Sequence, residues 1–302
     1  MIASFHRKGR KIIVIDKKIS PQVRRFACFL ILLHPIMELQ QIIDIVRDVS
    51  RLTDCRLYDI KVTEKDGPAN IVTSADLAVQ QALIARLSSL FPGSHFLCEE
   101  EHLDNPEAND DAPLWIIDPI DGTANYARGI HDCAISVAYC VGGQVEMGVV
   151  YLPRTNECFS AQRGRGAWLN GEAIHVSDRS FKESILCTAM CVYHKENAPI
   201  CAGIIMETYL QANDFRRFGA AAPELCYLAA GRVELYFEYM LSPWDYAAAQ
   251  LVLTEAGGVA SDLEGLALNP ARPSGILAAN NAENHARLAE ITAKNLKPYS
   301  RY

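Results

Sequence analysis

Two aspartates, Asp118 and Asp121, stand three residues apart in the segment WIIDPIDGTANY, with a proline between them and Gly-Thr directly behind. An apolar run that ends in Asp-Pro and continues into Asp-Gly-Thr is typical of a buried strand that breaks into the first turn of a helix. Carboxylates at such a junction can bind cations, and the free N–H groups of the new helix can bind an anion. The segment therefore suggests chemistry that combines a metal ion with a phosphate.

Further acidic residues also stand at the end of an apolar run or at an expected helix start. They are Asp76 in TSAD, Glu99 and Glu100 in FLCEEE, and Asp245 in SPWDYAAAQLVLTEAGG. Each alone has a structural explanation, because acids are favoured in the first turn of a helix and charge runs are usually solvated. Together they form an oxygen-only donor set, which suits Mg²⁺ or Mn²⁺, and two such ions can clamp a phosphate.

Sequence signals of other site classes are missing. The sequence contains no GxxxxGK[ST], no GxSxG and no HExxH, and Gly164-Arg165-Gly166 is a lone GxG that indicates a surface turn. The ten cysteines show no CxxC and no paired Cys/His spacing, so a structural zinc site is not expected. Their positions inside apolar runs favour reduced, buried thiols in a cytoplasmic protein over a disulfide framework.

Helices and strands must bring the acids together. Apolar residues from Leu39 to Leu52 recur at spacings of three and four, which predicts an amphipathic helix from Met37. A second helix is predicted from Asp76 to Leu90, with Ser74 as a candidate cap. This half of the chain is expected to pack helices on an antiparallel sheet.

The strand signals begin after the second helix. Strands at Ala134 to Val141 and Gln144 to Tyr151 flank Gly142-Gly143, a two-residue hairpin signal. After about residue 180, strands alternate with helices, which indicates a second lobe of mixed α and β structure. The expected elements there are strands near Ile185 to Ala189, Val233 to Phe237 and Ile276 to Ala279, and helices at Ala220 to Ala230, at Trp244 to Ala256 and from Ala282.

The distribution of charge divides the chain near Met37. The 302 residues carry a net charge of −7, but residues 1–36 hold eight Lys or Arg and one acid, whereas the rest holds 21 basic and 35 acidic residues. We favour the interpretation that residues 1–36 are an upstream extension of a chain whose natural start is Met37. A basic arm that binds nucleic acid or membrane, and a targeting segment, are alternatives that stay open. We expect residues 1–36 to lie outside the catalytic fold, residues 37–180 to form a lobe with the metal-binding motifs, and residues 181–302 to complete the active site.

Two long motifs, WIIDPIDGTANY and PWDYAAAQLVLTEAGG, resemble the two signature motifs of the inositol monophosphatase family. The similarity extends from Met37 to about Ala293 and includes GVVYLP, GRGAWLNG and FGAAAPELCYLAAG. The resemblance implies an α+β fold, the layered αβαβα sandwich of the lithium-sensitive sugar phosphatases. It also implies lithium sensitivity and a homodimer.

The resemblance further implies a set of metal ligands. Glu99, Asp118 and the backbone carbonyl of Ile120 would bind a first Mg²⁺, and Asp118, Asp121 and Asp245 would bind a second. Glu99 with waters would hold a weaker third ion. Mn²⁺ is a possible substitute for Mg²⁺ in such a site.

Catalytic and phosphate-binding roles follow from the same resemblance. Asp76, Thr123 and Glu99 are the expected catalytic residues, with Thr123 oriented by Asp76 so that it helps to activate the attacking water. Backbone N–H groups of Asp121, Gly122 and Thr123 would bind the phosphate. Glu100 and Lys65 are expected to lie in the shell around these residues.

The same resemblance implies that the alcohol part of the substrate contacts Gly219, Ala220 and Ala221 at a helix start, together with Glu238 and Asp245. Glu238 precedes Asp245 by seven residues, which is the spacing expected of an inositol-phosphate enzyme. A carboxylate there can accept hydrogen bonds from ring hydroxyls. The alternative for Glu238 is a solvent-facing side chain after a strand.

The sequence departs from the family pattern at two positions. Cys98 stands where the family usually has glycine, and Asn70 stands where aspartate is common. The cysteine adds a side chain beside a metal ligand, which could tighten the strand or make the enzyme sensitive to oxidation. Neither change removes a ligand, so we expect activity to survive.

These observations predict a Mg²⁺-dependent phosphomonoesterase that hydrolyses a small phosphorylated polyol by direct attack of a metal-activated water. The Glu238 spacing favours inositol monophosphate, while 3′-phosphoadenosine phosphate, fructose bisphosphate, histidinol phosphate and other sugar phosphates stay open. A catalytically idle relative that binds phosphate ligands or acts as a regulatory partner is a further alternative. We expect no nucleic-acid partner and no membrane partner, although the basic first 36 residues keep a nucleic-acid-associated protein as an alternative.

Overall fold

A computed structural model of the protein describes residues 2–7, 10–15, 38–54, 61–65, 71–100, 113–192 and 194–296. Asn70, Cys28 and Cys55 therefore lie outside the described residues. The eight cysteines inside these ranges are all free and buried, in agreement with the expected reduced thiols. No helix in the described ranges has the length and hydropathy that crossing a membrane requires.

The described ranges contain seven α-helices. They are α1 (residues 38–49), α2 (Ser74–Leu90), α3 (Thr123–Ala127), α4 (Ala198–Tyr209), α5 (Ala221–Ala229), α6 (Pro243–Glu255) and α7 (Ala282–Leu296). The same ranges contain sixteen strands. They are β1 (Ile2–Arg7), β2 (Arg10–Ile15), β3 (Val62–Glu64), β4 (Ile71–Thr73), β5 (His95–Cys98), β6 (Leu114–Asp121), β7 (Ala134–Val141), β8 (Gln144–Leu152), β9 (Glu157–Gln162), β10 (Gly166–Leu169), β11 (Glu172–Ala173), β12 (Ile185–Thr188), β13 (Asp214–Arg216), β14 (Leu235–Leu241), β15 (Val259–Ser261) and β16 (Ser274–Ala279).

Two large sheets organise the chain. A seven-stranded sheet has the order β11-β10-β9-β8-β7-β6-β5, and a five-stranded sheet has the order β13-β12-β14-β16-β15. The first sheet is antiparallel except for the pair β5 and β6. In the second sheet, β12 runs parallel to both of its neighbours. The strands β1 and β2 form a separate antiparallel pair, as do β3 and β4.

Helices cover both faces of each large sheet. Helices α1 and α2 pack on one face of the seven-stranded sheet, in a core that includes Ile42, Leu83 and Trp115. Helices α5 and α6 pack between the two sheets. Helices α4 and α7 cover the outer face of the five-stranded sheet, where Ile204 and Leu288 are buried. These layers confirm the expected αβαβα sandwich.

The covered faces explain the apolar runs of the sequence. Side chains of a strand alternate between the two faces of its sheet, so a strand covered on both sides must be apolar throughout. On β6, Trp115 and Ile117 face α1 and α2, whereas Ile116 faces α5 and α6. The predicted hairpin is confirmed, because Val141 pairs with Gln144 across Gly142-Gly143.

The cap of α2 differs from the expected one. Thr73, not Ser74, is the N-cap: its Oγ1 accepts the N–H groups of Ala75 and Asp76 at 3.2 and 3.4 Å. Ser74 is already inside the helix, and its hydroxyl instead accepts the N–H of Lys61 at 3.3 Å. The helix begins two residues earlier than predicted because Asp76 occupies the third helical position, where its carboxylate can bond back to the cap.

Candidate active site

A cleft of about 150 Å³ opens where the end of β6 meets the first turns of α5 and α6. Most of the residues that the sequence nominated line this cleft. They are Glu99, Asp118, Ile120, Asp121, Gly122, Thr123, Gly219, Ala220, Ala221, Glu238 and Asp245. Asp76, Lys65 and Glu100 do not line it: Asp76 and Lys65 bond to the lining residues Thr123 and Glu99, and Glu100 bonds to Lys65.

Three carboxylates converge in the cleft. Oxygen atoms of Asp118, Asp121 and Asp245 all lie within 4.8 Å of one another. Glu99 lies beside them, because its carboxylate is within hydrogen-bonding range of Asp118. Asp118 and Asp121 are only 1% and 7% exposed, so this concentration of acid is withdrawn from water.

The crowding of acids changes their protonation. Burial, followed by the charges of neighbouring carboxylates, raises the pKa of Asp118 and of Asp245 well above the ordinary value. Burial also raises the pKa of Asp121 to about 7, although a backbone N–H opposes the shift. Buried like charges of this kind are stable only when protonated or when a cation neutralises them. The donor set is entirely oxygen, which fits a hard divalent cation such as Mg²⁺.

A bulge in β6 brings the two aspartates of the first motif to one site. Residues three apart on a regular strand point to opposite faces of the sheet. The pairing of β6 with β7 shifts register between Asp118 and Asp121, which re-aims the second side chain. The N–H of Ile120 donates to Asp118 Oδ1 at 3.0 Å and holds the bulge in place.

Asp245 has a structural bond as well as a place in the cleft. It occupies the third position of α6, and its Oδ2 accepts the N–H of Ser242 at 2.7 Å in a capping box. Pro243 starts the helix, where a missing N–H has no cost. The first-turn explanation considered for Asp245 is therefore true, and the helix cap is also what orients this acid towards Asp118 and Asp121.

Like Asp245, Asp76 both caps a helix and contacts the cleft, because its two carboxylate oxygens have different partners. Its Oδ2 accepts the N–H of Thr73 at 2.8 Å and a short hydrogen bond from the Thr73 hydroxyl. Its Oδ1 accepts the Thr123 hydroxyl at 3.2 Å. Burial raises the pKa of Asp76 to about 6, against the hydrogen bonds from Thr73. The structure thus brings the expected pair of Asp76 and Thr123 together.

The loop after β6 fits closely against the start of α5. Gly122 has φ +85°, and a Cβ there would lie 2.9 Å from both the Ala220 Cβ and the Asp132 carbonyl oxygen. The helix that follows, α3, has only five residues, so its dipole adds little at this place. The first turn of α5 faces the same cleft, where the N–H of Ala222 donates to Asp121 Oδ2 at 2.6 Å.

Glu238 lies within β14 and not after a strand, so the solvent-facing alternative for this residue is wrong. Its side chain is 9% exposed, and its Oε2 accepts the Tyr236 hydroxyl at 2.6 Å. Burial raises the pKa of Glu238 to about 7, and the Tyr236 hydrogen bond opposes the shift. β14 extends to Leu241, farther than predicted, which places Glu238 in the cleft wall.

Lys65 closes one side of the acidic cluster. Its Nζ lies 3.2 Å from Glu99 Oε1 and 2.7 Å from Glu100 Oε1. Burial lowers the pKa of Lys65, but the two glutamates outweigh that effect and the net shift is upward. Glu100 is also fixed by its N–H, which donates to Gln80 Oε1 at 3.1 Å. Lys65 and Glu100 thus lie beside Glu99, one of the expected metal ligands.

Two charged residues of the cleft, Glu224 and Arg217, were not predicted from the sequence. Glu224 is 2% exposed, and its Oε1 accepts the N–H groups of Phe218 and Gly219 at 2.7 and 2.9 Å. Burial raises its pKa to about 8. Arg217 is the one basic residue among the described residues that line the cleft. An acid within an apolar helix, as in AAPELCYLA, was the available signal for Glu224.

Cys98 is fully buried next to Glu99, an expected metal ligand. Burial raises the pKa of its thiol to about 12, so the thiol stays protonated at neutral pH. A protonated, inaccessible thiol reacts slowly with oxidants. Of the two effects considered for Cys98 from the sequence, its burial therefore favours a tighter strand and not sensitivity to oxidation.

A family model and several known proteins match most of this chain. A family model described as the inositol monophosphatase family matches residues 35–297. A Vibrio cholerae protein named Nus factor SuhB is 39% identical over 207 residues, covering 68% of this chain and 76% of that protein. A Thermotoga maritima fructose-1,6-bisphosphatase/inositol-1-monophosphatase is 34% identical over 209 residues, covering 69% of this chain and 78% of that protein.

Solved structures show the same likeness. The extragenic suppressor protein suhB of Bartonella henselae superposes with a TM-score of 0.76 at 30% identity, covering 85% of this chain and 99% of that one. An inositol monophosphatase from Anabaena has a TM-score of 0.72 at 30% identity, covering 85% of this chain and 96% of that one. The motif resemblance seen in the sequence is thereby confirmed, and the chain belongs to the inositol monophosphatase family.

Proposed function

We propose that the protein is a Mg²⁺-dependent phosphomonoesterase that hydrolyses a small phosphorylated polyol, with inositol monophosphate as the favoured substrate. The observation that carries the proposal is the convergence of Asp118, Asp121 and Asp245, whose carboxylate oxygens lie within 4.8 Å. Membership of a phosphatase family supports the reaction class. The expected ligands Glu99 and the Ile120 carbonyl lie in the same cleft.

The chain offers a donor set for a metal and a separate set for the substrate. Bound at these carboxylates, Mg²⁺ would supply a water of lowered pKa and positive charge beside the phosphoryl and leaving oxygens. We assign two or three ions to Glu99, Asp118, Ile120, Asp121 and Asp245, as the family resemblance implies. Mn²⁺ would satisfy the same oxygen donors.

Thr123 and Asp76 are placed to handle a proton. When the Thr123 hydroxyl donates to Asp76 Oδ1, its oxygen lone pairs are free to accept a hydrogen bond from water. The hydroxyl can also donate to the Ile120 carbonyl oxygen, at 3.0 Å. We assign to the Asp76 bond the orientation in which the hydroxyl oxygen can accept a hydrogen bond from the attacking water. We therefore assign Thr123 to orient the attacking water and Asp76 to orient Thr123.

Binding of the substrate is assigned to the walls of the cleft. Backbone N–H groups of Asp121, Gly122 and Thr123 would bind the phosphate. Gly219, Ala220 and Ala221 carry no long side chain, which leaves room for a ring. Glu238 would accept hydrogen bonds from hydroxyl groups of the polyol, as its burial in the cleft wall supports.

Phosphate release tests the proposal directly. Inositol monophosphates, 3′-phosphoadenosine phosphate, fructose bisphosphate and histidinol phosphate should be assayed with Mg²⁺, with EDTA and with added lithium. We expect turnover that depends on Mg²⁺ and is highest for inositol monophosphate. Asp121→Asn and Asp245→Asn should abolish release while the protein stays folded. Near-normal turnover in either variant would refute the site.

One alternative is kept because of the relatives. Proteins that are 38% and 39% identical to this chain carry the name Nus factor SuhB. A catalytically idle relative would show thermal stabilisation by Mg²⁺ without turnover of any ester in the panel. Three further points stay predictions: a homodimer, a cytoplasmic location and the absence of a nucleic-acid partner. Salt-sensitive binding to RNA or DNA would contradict the last of these.

A further inference from the structure

A second cavity lies between α1 and the strands β9 and β10. It encloses about 470 Å³, and typical small-molecule sites span about 300 to 1,000 Å³. It shares no lining residue with the active-site cleft. In the sheet, β7 and β8 separate β9 from β6, the strand that carries Asp118 and Asp121. The two cavities are therefore separate sites.

The floor of this second cavity is polar. Phe159 and Ala161 face the core between the two sheets, so Ser160 and Gln162 must point to the other face, towards α1. Ser160 is 3% exposed and Gln162 is 8% exposed. Within the described ranges neither side chain has a hydrogen-bond partner. Both open into the cavity, where a ligand can satisfy a hydroxyl and an amide that would otherwise lack partners.

The rim of the cavity is positively charged. Arg47 and Arg165 line it, and none of the lining residues in the described part of the chain is an Asp or Glu. Arg47 Nη2 donates to the neutral Asn170 Oδ1 at 3.1 Å, and neither guanidinium has a carboxylate partner among the described residues. Asp44 lies one turn away on α1, where it accepts a hydrogen bond from Gln40 Nε2 at 2.8 Å. Glu255 lies near Arg165, but its carboxylate accepts the backbone N–H groups of Gly164 and Gly166. Two guanidinium groups that are not paired with a carboxylate match a phosphate, because their planar forks fit its oxygens.

The walls supply an apolar surface. Leu39 and Ile43 from α1 and Trp168 from β10 are the large apolar residues of the lining. An indole ring offers a flat face on which an aromatic ring can stack. A few convergent polar groups with an apolar wall are the usual composition of a small-molecule site.

We propose that this second cavity binds a nucleoside monophosphate. The phosphate lies between Arg47 and Arg165, the base packs against Trp168, and the Gln162 amide bonds to the base or sugar. The site is independent of the proposed hydrolysis, because none of its residues belongs to the metal cluster or to the catalytic cleft.

Isothermal titration of the full chain with uridine monophosphate and with uridine, both in EDTA, tests the proposal. The two probes differ only in the phosphate. We expect uridine monophosphate to bind one to one and at least about tenfold more tightly than uridine, as expected for hydrogen bonds to a charged group. No binding of the nucleotide, or equal binding of both probes, would overturn the proposal.

Variants locate the bound nucleotide. Arg47→Gln and Arg165→Gln should each weaken the nucleotide about tenfold and leave uridine unchanged, whereas Trp168→Leu should weaken both probes. Arg272→Gln is the matched control, because Arg272 is exposed and lines neither cavity. Asp118→Asn should also leave binding unchanged. A change of nucleotide affinity in Asp118→Asn, in either direction, would place the nucleotide in the catalytic cleft and would contradict the second site, whatever the variant does to phosphate release.

Discussion

Asp121 Oδ2 accepts the backbone N–H of Ala222 at 2.6 Å, across 101 residues of sequence. The bond joins the end of β6 in the seven-stranded sheet to the first turn of α5. The same aspartate belongs to the carboxylate cluster. An acid of the candidate metal site therefore also joins the end of β6 to the helix that begins at Ala221, one of the expected substrate-binding residues.

The close approach at Gly122 predicts a steric effect of a single methyl group. Gly122→Ala would place a Cβ 2.9 Å from backbone oxygen and from Ala220, at a left-handed φ of +85°. We expect a loss of about 1 to 3 kcal/mol in the free energy of unfolding, from overpacking and strain, together with reduced turnover. Urea unfolding and phosphate release would measure both effects.

Gly129→Ala is the control for Gly122→Ala. Gly129 has a similar φ of +73° but nothing within 4 Å of an added Cβ. The Gly129→Ala variant should lose about 1 kcal/mol in the free energy of unfolding, from backbone strain alone. Equal stability losses in the two variants would show that the contact with Ala220 has no energetic effect.

The hydroxyl of Thr123 is predicted to matter more for turnover than for stability. Thr123→Val keeps the shape but removes the bond to Asp76 Oδ1. We expect kcat to fall by about 100-fold or more, as for the loss of a group that assists proton transfer, with little change in KM. Thr123→Ser restores the hydroxyl and should recover most of kcat. If Thr123→Ser were as slow as Thr123→Val, the hydroxyl would not be the active group.

The buried acids predict how stability depends on pH. Asp121 has a pKa of about 7 in the folded protein, well above that of an unfolded aspartate near about 3.9. Its contribution to the metal-free protein is therefore fully present below about pH 4 and is lost as the pH rises through about 7. Asp118 and Asp245 shift in the same direction.

Thermal unfolding at several pH values, in EDTA and in Mg²⁺, measures this effect. In EDTA we expect Tm to fall between about pH 5 and pH 8, and Asp121→Asn should fall less, because one titrating acid is gone. Saturating Mg²⁺ should reverse the slope, since a metal binds the ionised carboxylates. A wild-type protein and an Asp121→Asn variant with the same pH profile in EDTA would contradict the prediction.

Glu224 is predicted to position the turn that precedes α5. Its Oε1 accepts the N–H groups of Phe218 and Gly219, so Glu224→Leu leaves both donors unpaired. We expect that variant to lose about 2 kcal/mol or more of stability and to show a raised KM. Glu224→Gln keeps an acceptor oxygen and should behave like the wild type near pH 7, where burial leaves Glu224 largely protonated. Similar behaviour of the two variants would argue against this role.

The features that the sequence predicted are those encoded by residues close together in the chain. The strand, the turn and the acids of WIIDPIDGTANY lie within a few residues of one another, so their pattern identifies the element and the donor type. The hairpin at Gly142-Gly143 and the helices α5 and α6 were found within one residue for the same reason. The cap of α2 was misplaced by one position because Thr73 and Ser74 are both good cap residues, and only the backbone geometry distinguishes them.

The sequence by itself determined the family and, through the family resemblance, the layered fold, and it identified the acids of the candidate metal site, because motifs are local patterns. Only the tertiary structure decided which groups meet: the Asp121 to Ala222 bond, the Asp76 to Thr123 bond, the burial of Glu224 and the cavity beside Trp168. Each of these joins segments that are distant in the chain or depends on how layers pack. Such contacts have no local signature, since packing of two sheets and their helices fixes them.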